Sequence, residues 1–206
     1  MKKKLSLLYK ILIVIVSGIG IYLNILMSSG LQVLFYFTII SNILCFGFYL
    51  IEVILELLGK IKRGRLFHIL KGTVLMCITL TLTVYQFVLA DKGIYDGHML
   101  ECNFVHLFTP LLVIFDYIIF SEKGHIEKDF PMTWSLSILI YGLLCELYIN
   151  FGGNFLGGSK YPYFFLDTEK YGVSGVIGNV TFVYILFLLY GYLVYFIDKK
   201  LGKKNK

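Results

Sequence analysis

LQVLFYFTIISNILCFGFYLIEVILELL, residues Leu31 to Leu58, is an apolar run long enough to cross a bilayer. A hydrocarbon core of about 30 Å needs about 20 apolar residues in a helix, and no proline interrupts this run. Yet it carries Thr38, Asn42, Cys45, Tyr49, Glu52 and Glu56 at alternating steps of four and three, the spacing that lines residues up along one side of an α-helix. A charged group at the centre of a bilayer costs roughly 2.5–3.5 kcal/mol on insertion scales, so that side must look into other helices or a wet cavity. The run predicts a membrane helix with a polar working face, and the remaining chain supplies what that face looks at.

Composition agrees. Of 206 residues, 58% are hydrophobic, 17% aromatic and only 16% charged, and the mean hydropathy is +0.79, far from the balance of a soluble domain. The basic Met1–Lys4 segment and the apolar stretch after it resemble a secretory signal. That stretch is too long for a signal core, however, and no small-residue cleavage site follows. Six spans are predicted, roughly over 7–27, 31–58, 67–90, 102–120, 134–151 and 173–197, in one all-α transmembrane domain covering 1–206. A tight Ser28-Ser29-Gly30 turn joins the first two, a polar loop covers Asp91–Glu101, and a Gly- and aromatic-rich loop, Gly152–Gly172, precedes the last.

The net charge of +6 sits in short loops and at the ends, so it reports topology and anionic headgroups; membrane lipids are the expected partners and nucleic acid is not. One side of the bundle collects fifteen of the basic residues, including Lys10, and the other only Lys92, Lys160 and Lys170, with Lys71 as the one basic residue within a span. This asymmetry predicts a multi-pass protein of the cell membrane with both termini cytoplasmic. Cys45, Cys77, Cys102 and Cys145 all fall in spans and form no CxxC, so they read as packing residues, and neither a metal nor a cofactor is expected. The chain has no GxSxG, HExxH, P-loop or GxGxxG motif, which argues against soluble-type hydrolases, zincins and nucleotide enzymes.

Depth can be compared across antiparallel spans at about 1.5 Å per residue. Thr38, His106, Glu146 and Asn179 then share a layer roughly 6–11 Å below the outer surface, with Asn42 a turn deeper than Thr38 and Asn103 a turn above His106. Roofed by the aromatic loop around Tyr161, this layer predicts a pocket in the outer leaflet. Near the inner surface, Lys71 and Asp116 are each four residues from the ends of their helices, with Glu52 and Glu56 at similar depth; a structural ion pair or triad is expected there.

FYFTIISN at Phe35–Asn42, HLFTPLLVIFD at His106–Asp116 and YPYFFLD at Tyr161–Asp167 occur in that order, in spans two and four and the loop before span six. In these motifs the chain resembles the androgen-induced-gene family of six-pass membrane proteins, and more closely its bacterial Pr-six-Pr relatives. The resemblance implies an intramembrane threonine hydrolase of lipid esters, of the fatty acid ester of hydroxy fatty acid type, with Thr38 and His106 as its Thr and His. The chemistry suits the pair: imidazole, titrating near pH 6.5, matches the task of taking a hydroxyl proton at neutral pH. Asn42 or Asn103 are candidate oxyanion donors, and Glu146 or Asp167 candidates to orient the imidazole. The alternative is a carrier or sensor that binds a small or lipid ligand in the same layer without chemistry.

A reporter fused at Lys206 is expected in the cytoplasm. A cysteine placed in the Gly152–Ser159 loop is expected to react with an impermeant thiol reagent on intact cells; labelling of that loop only after lysis would invert the orientation.

Overall fold

The structure, a computed structural model, describes residues 2–28, 30–89 and 99–203; Ser29, the end of the third span at Ala90, residues 91–98 of the polar loop with Lys92, and the last three residues lie outside them. Six helices in the described residues are long and apolar enough to cross a membrane: α1 Lys2–Met27, α2 Phe37–Leu57, α3 Arg65–Leu89, α4 Met99–Ile119, α5 Phe130–Asn150 and α6 Thr168–Lys203. No strand occurs among the described residues. The chain is a polytopic all-α membrane protein. α3 is the most enclosed helix and packs against α2, α4, α5 and α6; α1 lies on α2 and α4, and α5 pairs with α6.

The distribution of polarity is inverted relative to a soluble protein. Leu8, Ile15, Ile51, Leu143, Phe182, Leu189 and Phe196 are among the many large apolar side chains exposed around the bundle, whereas Lys10, Asn42, Glu52, Lys71, His106, Asp116 and Asp198 are inside it. Lipid is as apolar as leucine, so small residues and interhelical hydrogen bonds hold such helices together. Gly20 brings α1 so close to α4 that a Cβ there would stand 3.0 Å from Phe104 Cβ and Val105 Cγ1. Gly72 lets the Trp134 indole lie flat on α3, where its Nε1–H donates to the Ile69 carbonyl at 3.0 Å.

Three departures from regular helix matter for the site. Residues 31–58 do not form one uninterrupted helix: Leu31–Phe35 is a 3-10 turn, Tyr36 is extended, and the α-helix starts at Phe37. The Tyr141 phenol stands at the break, accepting the Phe37 N–H and donating to the Phe35 carbonyl, both at 3.2 Å. One side chain of α5 thus satisfies two backbone groups that an unbroken helix would have paired with its own. α3 ends in a π-helical turn at Tyr85–Leu89, and α4 contains another at Phe104–Phe108. Pro110 has no N–H to give the ladder, and the Thr109 N–H reaches five residues back to the Phe104 carbonyl.

At the end of the bundle that carries both termini, the charges form a chain. Lys71 Nζ lies 2.7 Å from Asp116 Oδ2 and 3.5 Å from Glu52 Oε2. Lys10 Nζ lies 2.8 Å from Glu52 Oε1 and 2.7 Å from Glu56 Oε2, and Tyr49 donates to Asp116 at 2.9 Å. The expectation that Lys71 is the one basic residue within a span is corrected, because Lys10 is 2% exposed and sits on the same α1 face as Ile13, Ser17 and Gly20. Two buried cations answer two buried carboxylates, with Glu56 at the edge. Removing one member leaves a charge stranded, which costs about 3–5 kcal/mol when buried.

Lys71→Met should therefore lower thermal stability in detergent more than Lys71→Met combined with Asp116→Leu, since Glu52 keeps Lys10. Additive losses across this double-mutant cycle would show that the two groups are energetically independent.

Candidate functional site

Thr38 is the second residue of α2, directly after the break. Its Oγ1 lies 3.2 Å from His106 Nε2, in the π turn of α4. On the far side of the ring, Nδ1 lies 3.0 Å from the Cys102 carbonyl and 3.2 Å from Cys102 Sγ. A carbonyl only accepts, so Nδ1 carries the proton and Nε2 presents its lone pair to the threonine. The Thr38 hydroxyl therefore donates to His106, the arrangement of a nucleophile with its base. Tyr85, from the π turn of α3, stacks over the imidazole with centroids 4.2 Å apart. His106 is 2% exposed and Thr38 8%.

Both π turns thus deliver a ring to one point. Such turns insert a residue into the helix and re-aim the side chains around it, and they recur at functional sites. The slip in α4 also takes the Thr109 N–H away from the Val105 carbonyl. Asn42 fills the gap: its Nδ2 donates to Val105 O at 3.0 Å and to Thr38 O at 2.8 Å. Asn42 is a clamp between the two site helices. Its amide hydrogens are engaged, and the role of oxyanion donor expected for it does not fit this geometry.

A cavity of about 320 Å³ opens beside Thr38. It is lined mostly by apolar side chains of α3, α5 and α6, with the polar groups of Thr38, Thr81, Tyr141, Glu146, Tyr161, Tyr163 and Thr168 among them. That is the size and character of a site for a small or elongated apolar ligand. The loop between α5 and α6 forms its roof. Phe155 is buried edge-on between Tyr36 and Tyr148, and Tyr36 accepts the Leu156 N–H at 3.2 Å. Tyr163 packs edge-on against Tyr36, and its phenol interacts with both the side chain and the backbone amide of Thr38. Burial pushes this phenol up to about 12, so it remains an O–H donor at neutral pH.

The other predicted residues separate. Glu146 and Tyr161 line the cavity; Glu146 is exposed and accepts from Asn150 at 3.4 Å, and Tyr161 bonds Thr168 through its hydroxyl. Asn179 donates to the Phe165 carbonyl at 2.8 Å and ties α6 to the roof. Asp167 accepts the N–H groups of Glu169 and Lys170, at 2.8 and 3.1 Å, and caps the first turn of α6. Neither Glu146 nor Asp167 orients the imidazole; the Cys102 carbonyl does. Asn103 is half-buried in the turn before His106 and does not line the cavity. Tyr163, Tyr141, Tyr85 and Cys102 are the contributors that sequence reasoning passed over. Cys102 stands four residues before His106, the one spacing that signals a helical carbonyl within reach of that ring.

No protein-family model, curated protein or solved structure matches this chain.

Asn42→Ala should strip the Val105 carbonyl of its partner, while the Thr38 carbonyl keeps the Ser41 hydroxyl, and should cost about 1–3 kcal/mol, the usual desolvation penalty of such a group. Thermal unfolding in detergent checks this, and an unchanged midpoint would show that the clamp carries no load.

Proposed function

We propose that the protein is an intramembrane hydrolase of lipid esters, with Thr38 as nucleophile and His106 as base and then acid. The observation that carries this reading is the 3.2 Å contact between Thr38 Oγ1 and a His106 Nε2 whose other nitrogen is occupied by a carbonyl, on the wall of an apolar cavity. A purely structural threonine in a membrane helix usually bonds its own i−4 carbonyl, as Thr73, Thr79 and Thr83 do here. Thr38, in the first turn of its helix, directs its hydroxyl to the imidazole instead.

In the proposed reaction the ester carbonyl lies against Thr38 with one acyl chain in the cavity. Thr38 Oγ bonds to the carbonyl carbon while its proton passes to His106 Nε2. The oxyanion that forms takes hydrogen bonds from the Tyr163 phenol and from the Thr38 N–H at the positive end of α2. The carbon–oxygen bond to the leaving alcohol then breaks, and His106 returns the proton to that alcohol. Water, deprotonated by the same imidazole, hydrolyses the acyl-threonine and restores the enzyme. The first turn of α2 suits this role because the Phe37 N–H is held by the Tyr141 phenol and the Thr38 N–H faces Tyr163 rather than lipid.

The substrate is proposed to be a long-chain ester of the class implied by the resemblance to the androgen-induced-gene family, reaching the site from the surrounding lipid. Ile138, Gly142 and Ile149 of α5 and Val176, Val180 and Val183 of α6 line the side of the cavity between these two helices, and apolar walls there suit an acyl chain. With the termini cytoplasmic, as the basic asymmetry suggests, the site belongs to the outer leaflet of the cell membrane.

A fluorophosphonate probe should label the wild type and not Thr38→Ala. Hydrolysis of long-chain esters in liposomes should nearly vanish in Thr38→Ala and in His106→Ala, and the double mutant should be little worse than either, because such groups act as a unit. Tyr163→Phe should lose about 10²- to 10³-fold in kcat, the scale of one oxyanion donor. Full esterase activity in Thr38→Ala, or none in the wild type toward any long-chain ester, would leave the ligand-binding reading in its place.

A further inference from the structure

The opposite end of the bundle holds a second constellation that the hydrolase reading does not use. His68 lies in the first turn of α3, while Glu122 and His125 lie in the connector between α4 and α5. The fold brings their ligand atoms within 4.8 Å of one another. His125 Nε2 is 3.8 Å from Glu122 Oε2, and the two imidazoles are parallel within 2° at a centroid separation of 4.6 Å. His68 Nε2 is shielded from solvent and has no hydrogen-bond partner among the described residues.

The connector that carries two of these groups is held in place. The Asp198 carboxylate of α6, 1% exposed, accepts the N–H groups of Gly124 and Ile126 at 2.8 and 3.0 Å and the Tyr117 hydroxyl at 3.2 Å. Gly124 has φ +87°, and a Cβ there would meet the Gly202 backbone at 3.3 Å, so glycine is what lets the connector approach α6. On the other flank, Arg65 pairs with Glu127 at 3.1 Å and with Asp129 at 2.5 Å. Two side chains that point at His68 therefore sit on a braced loop rather than a free one.

We propose that His68, Glu122 and His125 bind a divalent first-row transition ion of the zinc class. Two imidazole nitrogens and one carboxylate oxygen are a common three-ligand set for this class, with a fourth position left for water. Ligand bonds of about 2.0–2.1 Å set ligand atoms roughly 3.3 Å apart in a tetrahedral site. Closing from the present spread of up to 4.8 Å takes at most about 1.5 Å of movement, within reach of rotations of Glu122 and His125, which are both exposed. Arg63 approaches Glu122 through Oε1, at 3.8 Å, and leaves Oε2 to the ion. His68 and Glu122 also line a polar cavity of about 570 Å³ at this end, so the fourth position faces water. The ion would tie the start of α3 to the α4–α5 connector, at the far end of the bundle from Thr38.

The test uses the full chain purified in detergent, stripped with a chelator and titrated with Zn²⁺ by calorimetry, with Co²⁺ as a spectroscopic probe. The expected result is one ion per chain, a visible tetrahedral Co²⁺ band, and a rise in Tm on adding Zn²⁺. His125→Ala and Glu122→Gln change exposed residues and leave the fold intact. Each should weaken binding by at least the roughly 10- to 100-fold that accompanies loss even of an outer-sphere partner, and should abolish the Tm rise. His68→Gln should behave likewise. Absence of stoichiometric Zn²⁺ binding in the wild type would overturn the site, as would binding that survives His125→Ala, or binding by the two histidines alone that is indifferent to Glu122→Gln.

Discussion

Hydrocarbon offers no hydrogen-bond partner, so every backbone group freed from a helix inside this bundle must find one within the protein. The site is built around that requirement. Pro110 removes one donor from α4, the Thr109 N–H slips to Phe104, and the Val105 carbonyl is left to a side chain from another helix. The break before Phe37 frees the Phe35 carbonyl and the Phe37 N–H, and one tyrosine takes both. Asn42 and Tyr141 are thus structural, yet their positions decide where Thr38 and His106 meet. An irregular backbone at membrane depth is tolerated where it is enclosed by protein, which is also where a reaction can be sheltered from both lipid and bulk water.

The two ends of the bundle use polarity differently. At the end with the termini, full charges are placed in alternation so that both buried lysines, Lys10 and Lys71, meet a carboxylate within 3.5 Å. Around Thr38 the described polar groups are instead a histidine held by a carbonyl, phenols and an amide, with Glu146 exposed on the cavity wall. The Cys102 carbonyl holds a proton on Nδ1 and so leaves the Nε2 lone pair to Thr38. The α2 stripe connects the regimes, running from Thr38 and Asn42 through Cys45 and Tyr49 to Glu52, and all five are buried. One helix face therefore supplies the hydroxyl that meets His106, a clamp, and an anchor for the charge chain.

The spans, and the fact that the Thr38 face looks inward, were legible from apolar length and from the four-and-three spacing. The meeting of Thr38 with His106 was foreshadowed by their common depth, because rise per residue converts position along the chain into position across the membrane. What spacing does not encode is which atom is engaged. Asn42 sits where a donor to an oxyanion would sit, but its hydrogens go to the Thr38 carbonyl of its own helix and to the Val105 carbonyl, freed by a π turn that only Pro110 hinted at. Lys10 was sorted with the terminal charges because it lies near the start of the first span, and hydropathy does not reveal that its side chain turns inward to Glu52 and Glu56. Tyr163 lies in a loop, where no period reveals direction, and Tyr85 and Cys102 look like ordinary packing residues in an apolar span. His68, Glu122 and His125 are drawn from a helix and a loop more than fifty residues apart in the chain, so no short motif announces them.

A catalytic imidazole is commonly held by a carboxylate, which both fixes the tautomer and stabilises the imidazolium that forms. Here a backbone carbonyl does the first and contributes only a dipole to the second. That choice fits the setting: a carboxylate buried against the ring would be costly without a partner of its own, while the Cys102 carbonyl belongs to the same helix. The π turn is what brings carbonyl and ring into register, since it sets how the His106 side chain leaves the helix one turn after Cys102. The weaker stabilisation of imidazolium is offset by Tyr85, whose electron-rich face lies against the ring at 4.2 Å and attracts a cation more than it attracts the neutral form. A histidine fixed by a carbonyl, an aromatic face and a helix irregularity therefore has its Nε2 directed at Thr38 by groups of the backbone and of a neighbouring helix.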